Sequence, residues 1–267
     1  MKLRIDYHFH PNLPKSNKRA LIKSKKWWKV FKKYKVNCII VTEHSYKNPE
    51  RAFKFLNQTK PDDFYCFPGI EYNTKEGIDI ILFSNKEFIY NLDLKSFKFS
   101  YRQIVELIQN EKDIHGFVTH PFTLGLTSII KKLGLNEYKK YVNKINAVEI
   151  SNGAFDTLYQ ILKKPVLNLF MKKMINRIKL NQNLPKKYYP KNIKFLAVGS
   201  DAHHFYEVGN CYEILNKSKN VFDSVINNKG KGKIYNKPSK VNIYGLVKSG
   251  LTSANEFFIK KRLKCFK

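Results

Sequence analysis

The chain has 267 residues, 43% of them hydrophobic, and carries 50 Lys and Arg against 21 Asp and Glu, a formal charge of +29. That much apolar material supplies a full core and excludes a disordered polyelectrolyte, while no stretch approaches the roughly 20 apolar residues of a membrane span. Four widely spaced cysteines, Cys38, Cys66, Cys211 and Cys265, form no C-x-x-C pair, which excludes a zinc ribbon or disulfide framework; with no signal-type apolar segment at the start, a reducing, cytoplasmic setting is expected.

Composition bias toward Lys, Asn and Ile accounts for the many lysines but not for the shortage of acids. The resulting positive field suits phosphate-bearing partners, single-stranded nucleic acid among them.

In chain order, short apolar or β-branched runs predict strands at Leu3–Tyr7, Cys38–Thr42, Phe64–Ile70, Ile78–Phe83, Gly116–Thr119, Ala147–Ile150 and Phe195–Val198. Between the first two, Ala20, Ser24, Trp27, Phe31 and Tyr34 share one face at helical spacing, with lysines opposite. Helical patterns recur at Tyr101–Glu111 and Val166–Lys179. Asn181–Asn192 and Asn227–Asn242 read as loops on their Pro and Gly content. A final helix is expected to begin at a Ser253-x-x-Glu256 capping box and to end in a basic tail. The alternation predicts a closed, mostly parallel α/β barrel with its site at the C-terminal ends of the strands. A single domain over residues 1–267 is expected, with 210–267 a basic portion completing or flanking the barrel.

The chemistry-bearing residues gather where those runs end. His8 and His10, two apart in a strand, project to the same side and can grip one ion. Further runs lead into Glu43-His44, Glu71, His120-Pro121, Ser151-Asn152 just after Glu149, and Asp201-Ala202-His203. Imidazole and carboxylate without thiolate suit Zn²⁺, Mn²⁺ or Fe²⁺.

Taken in order, D-x-H-x-H (Asp6–His10), T-E-H (Thr42–His44), P-G-I-E (Pro68–Glu71), H-P (His120-Pro121), V-E-I-S-N (Val148–Asn152), G-S-D-A-H (Gly199–His203) and Glu207-Val208-Gly209 resemble the polymerase and histidinol phosphatase (PHP) superfamily. The resemblance spans residues 1 to about 210. It implies a distorted (β/α)7 TIM-like barrel holding two or three divalent ions. By resemblance, His8, His10 and Asp201 bind one ion, Glu71 bridges it to a second held partly by His120, and His44 and His203 face a third position. The implied reaction is phosphoester hydrolysis by water activated between two ions, with His44 or His203 as acid toward the leaving group.

The sequence departs from that pattern in four places. Pro11–Ser16 lacks the further ligand that many members carry after H-x-H, Glu43 replaces an Asp, Asp79 stands where some members have a histidine, and Thr123 stands where an arginine often follows H-P-F. The third ion position therefore stays open, Asp79 becomes an alternative ligand, and phosphate must find another base. Nucleic acid or nucleotide phosphates are the expected substrates. A small-molecule phosphatase of the histidinol phosphatase type is the alternative, and a non-catalytic basic nucleic-acid-binding module with a structural metal is a third reading. Ten lysines and arginines between Lys15 and Lys35, interleaved with Trp27, Trp28, Phe31 and Tyr34, admit base stacking, though a buried aromatic face under solvated lysines is the simpler reading.

Overall fold

The computed structural model describes residues 2–122, 127–162, 172, 188, 192–237 and 243–265. Nine strands are described: β1 (Lys2–Phe9), β2 (Cys38–Val41), β3 (Tyr65–Asn73), β4 (Asp79–Phe83), β5 (His115–Val118), β6 (Ala147–Asn152), β7 (Phe195–Gly199), β8 (Cys211–Asn216) and β9 (Lys233–Asn236). The helices are α1 (Asn17–Tyr34), α2 (Pro49–Gln58), α3 (Tyr101–Asn110), α4 (Ile129–Ile145), α5 (Gly153–Leu162), α6 (Val221–Ile226) and α7 (Ile243–Cys265). Among the described residues, no helix is long and apolar enough to cross a membrane.

The expected (β/α)7 barrel is not what these strands build. Seven form one curled mixed sheet in the order β5-β4-β3-β2-β1-β8-β9, and β6 and β7 pair separately. Only β1–β2, β2–β3 and β6–β7 are parallel; β3–β4, β4–β5, β1–β8 and β8–β9 are antiparallel. For the reversals at β4 and β8 the physical reason is connection length, because a parallel crossover needs a dozen or more residues. Between β3 and β4 the chain has only a tight turn, closed by Thr74 N–H donating to the Ile78 carbonyl at 2.9 Å. After β7 it returns through Ser200–Asn210 without a crossover helix, so β8 lies antiparallel to β1.

Two cores flank the sheet. Leu3, Ile5 and Tyr7 of β1 pack with Phe83, Phe117 and Phe195 on the concave side, where the Tyr7 and Phe195 rings stack at 5.9 Å. Ile39 and Val41 of β2 join Phe9 with Trp27, Trp28 and Phe31 of α1 and Phe53 and Leu56 of α2. Helix α1 forms because Ser16 caps its first turn, no Gly or Pro interrupts it, and Lys35 ends it at φ 59°. Its buried side is Ala20, Ser24, Trp27, Trp28 and Phe31, whereas Tyr34 of the expected apolar face is 37% exposed. Burial of each large side chain contributes about 1.5–3 kcal/mol. Trp27 Nε1 donates to the Pro11 carbonyl at 3.0 Å and Trp28 Nε1 to the Leu56 carbonyl at 2.9 Å. These rings are therefore core; Trp27 holds the loop that follows His10 and Trp28 ties α1 to α2.

Three further expectations change. Residues 233–236, read as loop, form edge strand β9 against β8. The last helix begins at Ile243, so Glu256 is not at a helix start but in mid-helix. The pattern at Val166–Lys179 lies outside the described residues apart from residue 172, as does most of the loop at Asn181–Asn192.

Candidate metal centre

A bulge places the first two histidines. In β1 the register moves from Asp6↔Ile39 to Phe9↔Val41, one extra residue on the β1 side. Bulges next to sites re-aim side chains, and here the Nε2 atoms of His8 and His10 come to 3.0 Å of each other. A second register shift, between Glu149 and Ser151 of β6, sits beside the same site. Asp6 fastens β1 to the turn after β7, its Oδ1 accepting from Ser200 N–H at 2.9 Å and His8 N–H at 3.1 Å. Burial pushes its carboxyl up to about 7, against those hydrogen bonds. Asp201 then follows at φ 52°, a left-handed conformation that non-glycine residues seldom adopt, with its N–H on the His8 carbonyl at 2.8 Å. The approach is so close that a Cβ on Gly199 would lie 2.2 Å from the His8 Cβ.

Glu71 occupies the middle. Its Oε1 lies 3.5 Å from His8 Nε2 and 3.7 Å from His120 Nε2, and its Oε2 lies 3.7 Å from His10 Nε2 and in closer contact with His44 Nδ1. It reaches that place because β2 continues past Val41 as Glu43-His44, which bridges to Glu71 of β3. His120, at φ 30°, follows β5. Asp79 opens β4, and because β4 runs antiparallel its first residue arrives at the same end of the sheet as the last residues of β3 and β5.

Among the described residues, three groups of metal-ligand atoms result, each with its atoms within 4.8 Å of one another: His8, His10 and Asp201; Glu71, Asp79 and His120; and His10, His44 and His203. All seven site residues expected from the sequence, His8, His10, His44, Glu71, His120, Asp201 and His203, thus lie in one place, and Asp79 joins them. His115 lies at the far end of β5 beside Phe83 and Phe222.

The electrostatics fit cations. Burial alone drives His8 down, yet Asp201, Glu149 and Glu71 outweigh it and hold its pKa well above the usual range. Burial likewise pushes Glu71 up, but His44, His120 and His8 hold it well below the carboxylate range. His203 stands at about 9 because Glu256 and Asp201 overcome its burial. His10 moves the other way, lowered by burial and by neighbouring His44 and His203. His10 Nδ1, both ring nitrogens of His44, His203 Nε2 and Glu71 Oε2 are buried without a partner in hydrogen-bond geometry, although carboxylate or imidazole atoms face them closely. Lone pairs converging without hydrogen-bond angles are the donor set a divalent ion takes.

Four contributors were not assigned from the sequence. Glu149 Oε1 meets His8 Nδ1 at 3.0 Å, and Glu149 also accepts from the His120 N–H. Lys47 lies 3.2 Å from Glu43 Oε1 and 3.0 Å from Glu256 Oε1. Lys260 Nζ lies 2.8 Å from Asp79 Oδ2. Glu256 and Lys260, both from α7, could have been suspected only from their spacing of four, since Ser253-x-x-Glu256 mimics a helix start.

No family model matches the chain. An uncharacterized protein of Methanocaldococcus jannaschii, MJ0417, is 27% identical over 149 residues, 55% of this chain and 50% of that protein. The chain therefore matches about half the length of that curated relative. The crystal structure of PsfC from Pseudomonas syringae PB-5123 is similar with a TM-score of 0.61 over 95% of this chain and 98% of that one, at 17% identity, a likeness of fold.

Proposed function

We propose that this chain is a metal-dependent phosphoesterase of the PHP type, acting on nucleotide or nucleic-acid phosphates. The observation that carries the reading is the convergence on Glu71, whose two carboxylate oxygens face His8, His10, His44 and His120 together. Residues His8, His10 and Asp201 would hold one ion, and Glu71, Asp79 and His120 a second. Divalent ions in such sites supply Lewis acidity toward a phosphoryl oxygen and lower the pKa of coordinated water. Glu149 orients the imidazole of His8 from behind, and Glu43 lies 3.7 Å from His10 Nδ1. Lys47 and Lys260 bring the positive charge that the missing arginine after His120-Pro121-Phe122 does not.

A small-molecule phosphatase is the second reading. It is favoured by the burial of the site, since Asp201, His203 and Glu256 keep side-chain exposures of only 12%, 16% and 13%, which suits a small phosphomonoester better than the interior of a polymer.

The test is hydrolysis of a phosphomonoester, a phosphodiester and short oligonucleotides by protein loaded with Mn²⁺ or Zn²⁺. Asp201→Ala and His8→Ala should lower turnover by on the order of a thousandfold or more while circular dichroism stays unchanged. Full activity in either variant, or no turnover of any phosphoester by the loaded protein, sinks the reading. A steep fall of rate with salt supports a polymeric substrate, and a flat response supports the small molecule.

A further inference from the structure

The third group, His10, His44 and His203, lacks the ligand expected in the segment after H-x-H, yet a carboxylate stands there. It comes from the opposite end of the chain. Thr252, Glu256 and Lys260 recur every fourth residue of α7 and so share one face. Each makes a contact at the site: Thr252 Oγ1 lies 3.0 Å from His204 Nε2, Glu256 lies between His44 and His203, and Lys260 lies 2.8 Å from Asp79 Oδ2. Tyr206 adds a hydrogen bond from its hydroxyl to the Gly245 carbonyl at 2.9 Å.

The two carboxylate oxygens of Glu256 each face one imidazole of the group: Oε1 lies 3.2 Å from His44 Nε2 and Oε2 lies 3.2 Å from His203 Nε2, and Lys47 Nζ lies 3.0 Å from Oε1. Donor atoms bound at about 2.0–2.2 Å and separated by tetrahedral angles lie about 3.3 Å apart. Both nitrogens lack hydrogen-bond geometry, and the His44 side chain is only 4% exposed. Two imidazoles and one glutamate form the ligand set of catalytic zinc sites that keep a position open.

We infer that Glu256 is a metal ligand, completing with His44 and His203 a third divalent-ion position that fixes the C-terminal helix onto the site. The inference rests on the metal centre of the phosphoesterase reading but not on its chemistry. It gives His44 and His203 to ligation rather than to proton donation. It also makes docking of α7 depend on metal.

The full chain is equilibrated with Zn²⁺, desalted, and its metal content measured by elemental analysis for wild type, Glu256→Gln and Lys260→Met. Wild type should hold three ions and Glu256→Gln two. Lys260→Met removes an anchor of the same helix but keeps the carboxylate, and should hold three. Amide exchange over residues 243–265 should slow at least about tenfold on adding Zn²⁺ to wild type and stay unchanged in Glu256→Gln. Equal ion counts in wild type and Glu256→Gln overturn the inference and leave the phosphoesterase reading standing. So does faster exchange of α7 on metal addition, because Glu256 would then be a plug that ions displace. A wild type that binds no ion overturns both.

Discussion

Glu149 Oε1 lies 3.0 Å from His8 Nδ1, so the imidazole that presents Nε2 to Glu71 and Asp201 is held from behind by a buried carboxylate on the next strand pair. Such partners fix the ring's tautomer and orientation, and their loss typically costs 10- to 100-fold in metal affinity, by general experience. Glu149→Gln keeps the shape and weakens that hold. Zn²⁺ titration should show an affinity loss of roughly that size, with thermal stability of the metal-free protein little changed. An unchanged affinity would mean that Glu149 serves only the His120 turn.

Glu213 gives a pH test remote from the candidate metal centre. It is fully buried on β8, accepts from the Tyr7 hydroxyl at 3.0 Å and from Asn228 Nδ2 at 3.2 Å, and burial pushes its carboxyl from 4.5 up to about 8. The folded chain then keeps a proton that the unfolded chain releases above its lower pKa. Stability from this group is complete below pH 4.5 and is lost as pH rises toward 8, at up to about 1.4 kcal/mol per pH unit. Glu213→Gln carries no such proton. Urea unfolding at pH 5 and pH 8 should show wild type losing stability relative to the variant, and parallel behaviour of the two would contradict the assignment.

Helix α1 separates packing from charge. Trp28 is 3% exposed and bonded to the Leu56 carbonyl, so Trp28→Ala should cost on the order of 3–5 kcal/mol in unfolding free energy. Lys25, Lys29 and Lys32 lie exposed on the other side. Their joint replacement by Glu should leave stability within about 1 kcal/mol and reduce both the affinity for a single-stranded oligonucleotide and its salt dependence. Oligonucleotide affinity untouched by the triple reversal would clear this face of a role in binding polyanions.

The convergence of the site residues was more legible in the sequence than the sheet that carries them. His8, His10, Glu71, His120 and Asp201 were legible because each follows or interrupts an apolar run, and strand ends are where distant residues meet. Strand direction was not legible: a strand buried on both faces, such as Ile78–Phe83, has the same apolar run whether parallel or antiparallel. The short turn at Thr74–Ile78 was the one available clue that β3 and β4 form a hairpin. Strand β9, Lys-Ile-Tyr-Asn at the sheet's edge, has too little apolar content to read as a strand. Glu256 was hidden for a different reason. Its local pattern satisfied a capping rule, and only the packing of α7 across the site gives it another partner.

That placement has a consequence in time. His8 and Glu256 are 248 positions apart in the sequence, 256 less 8, and at about 5–20 residues per second the ribosome needs roughly 12–50 s to pass from one to the other. Throughout that interval the growing chain owns the histidines of β1 without the carboxylate that meets His44 and His203. On the inferred three-ion centre, a nascent chain would own the ligands of the first two positions before the carboxylate that completes the third, and the order of synthesis would be the order in which the positions become available.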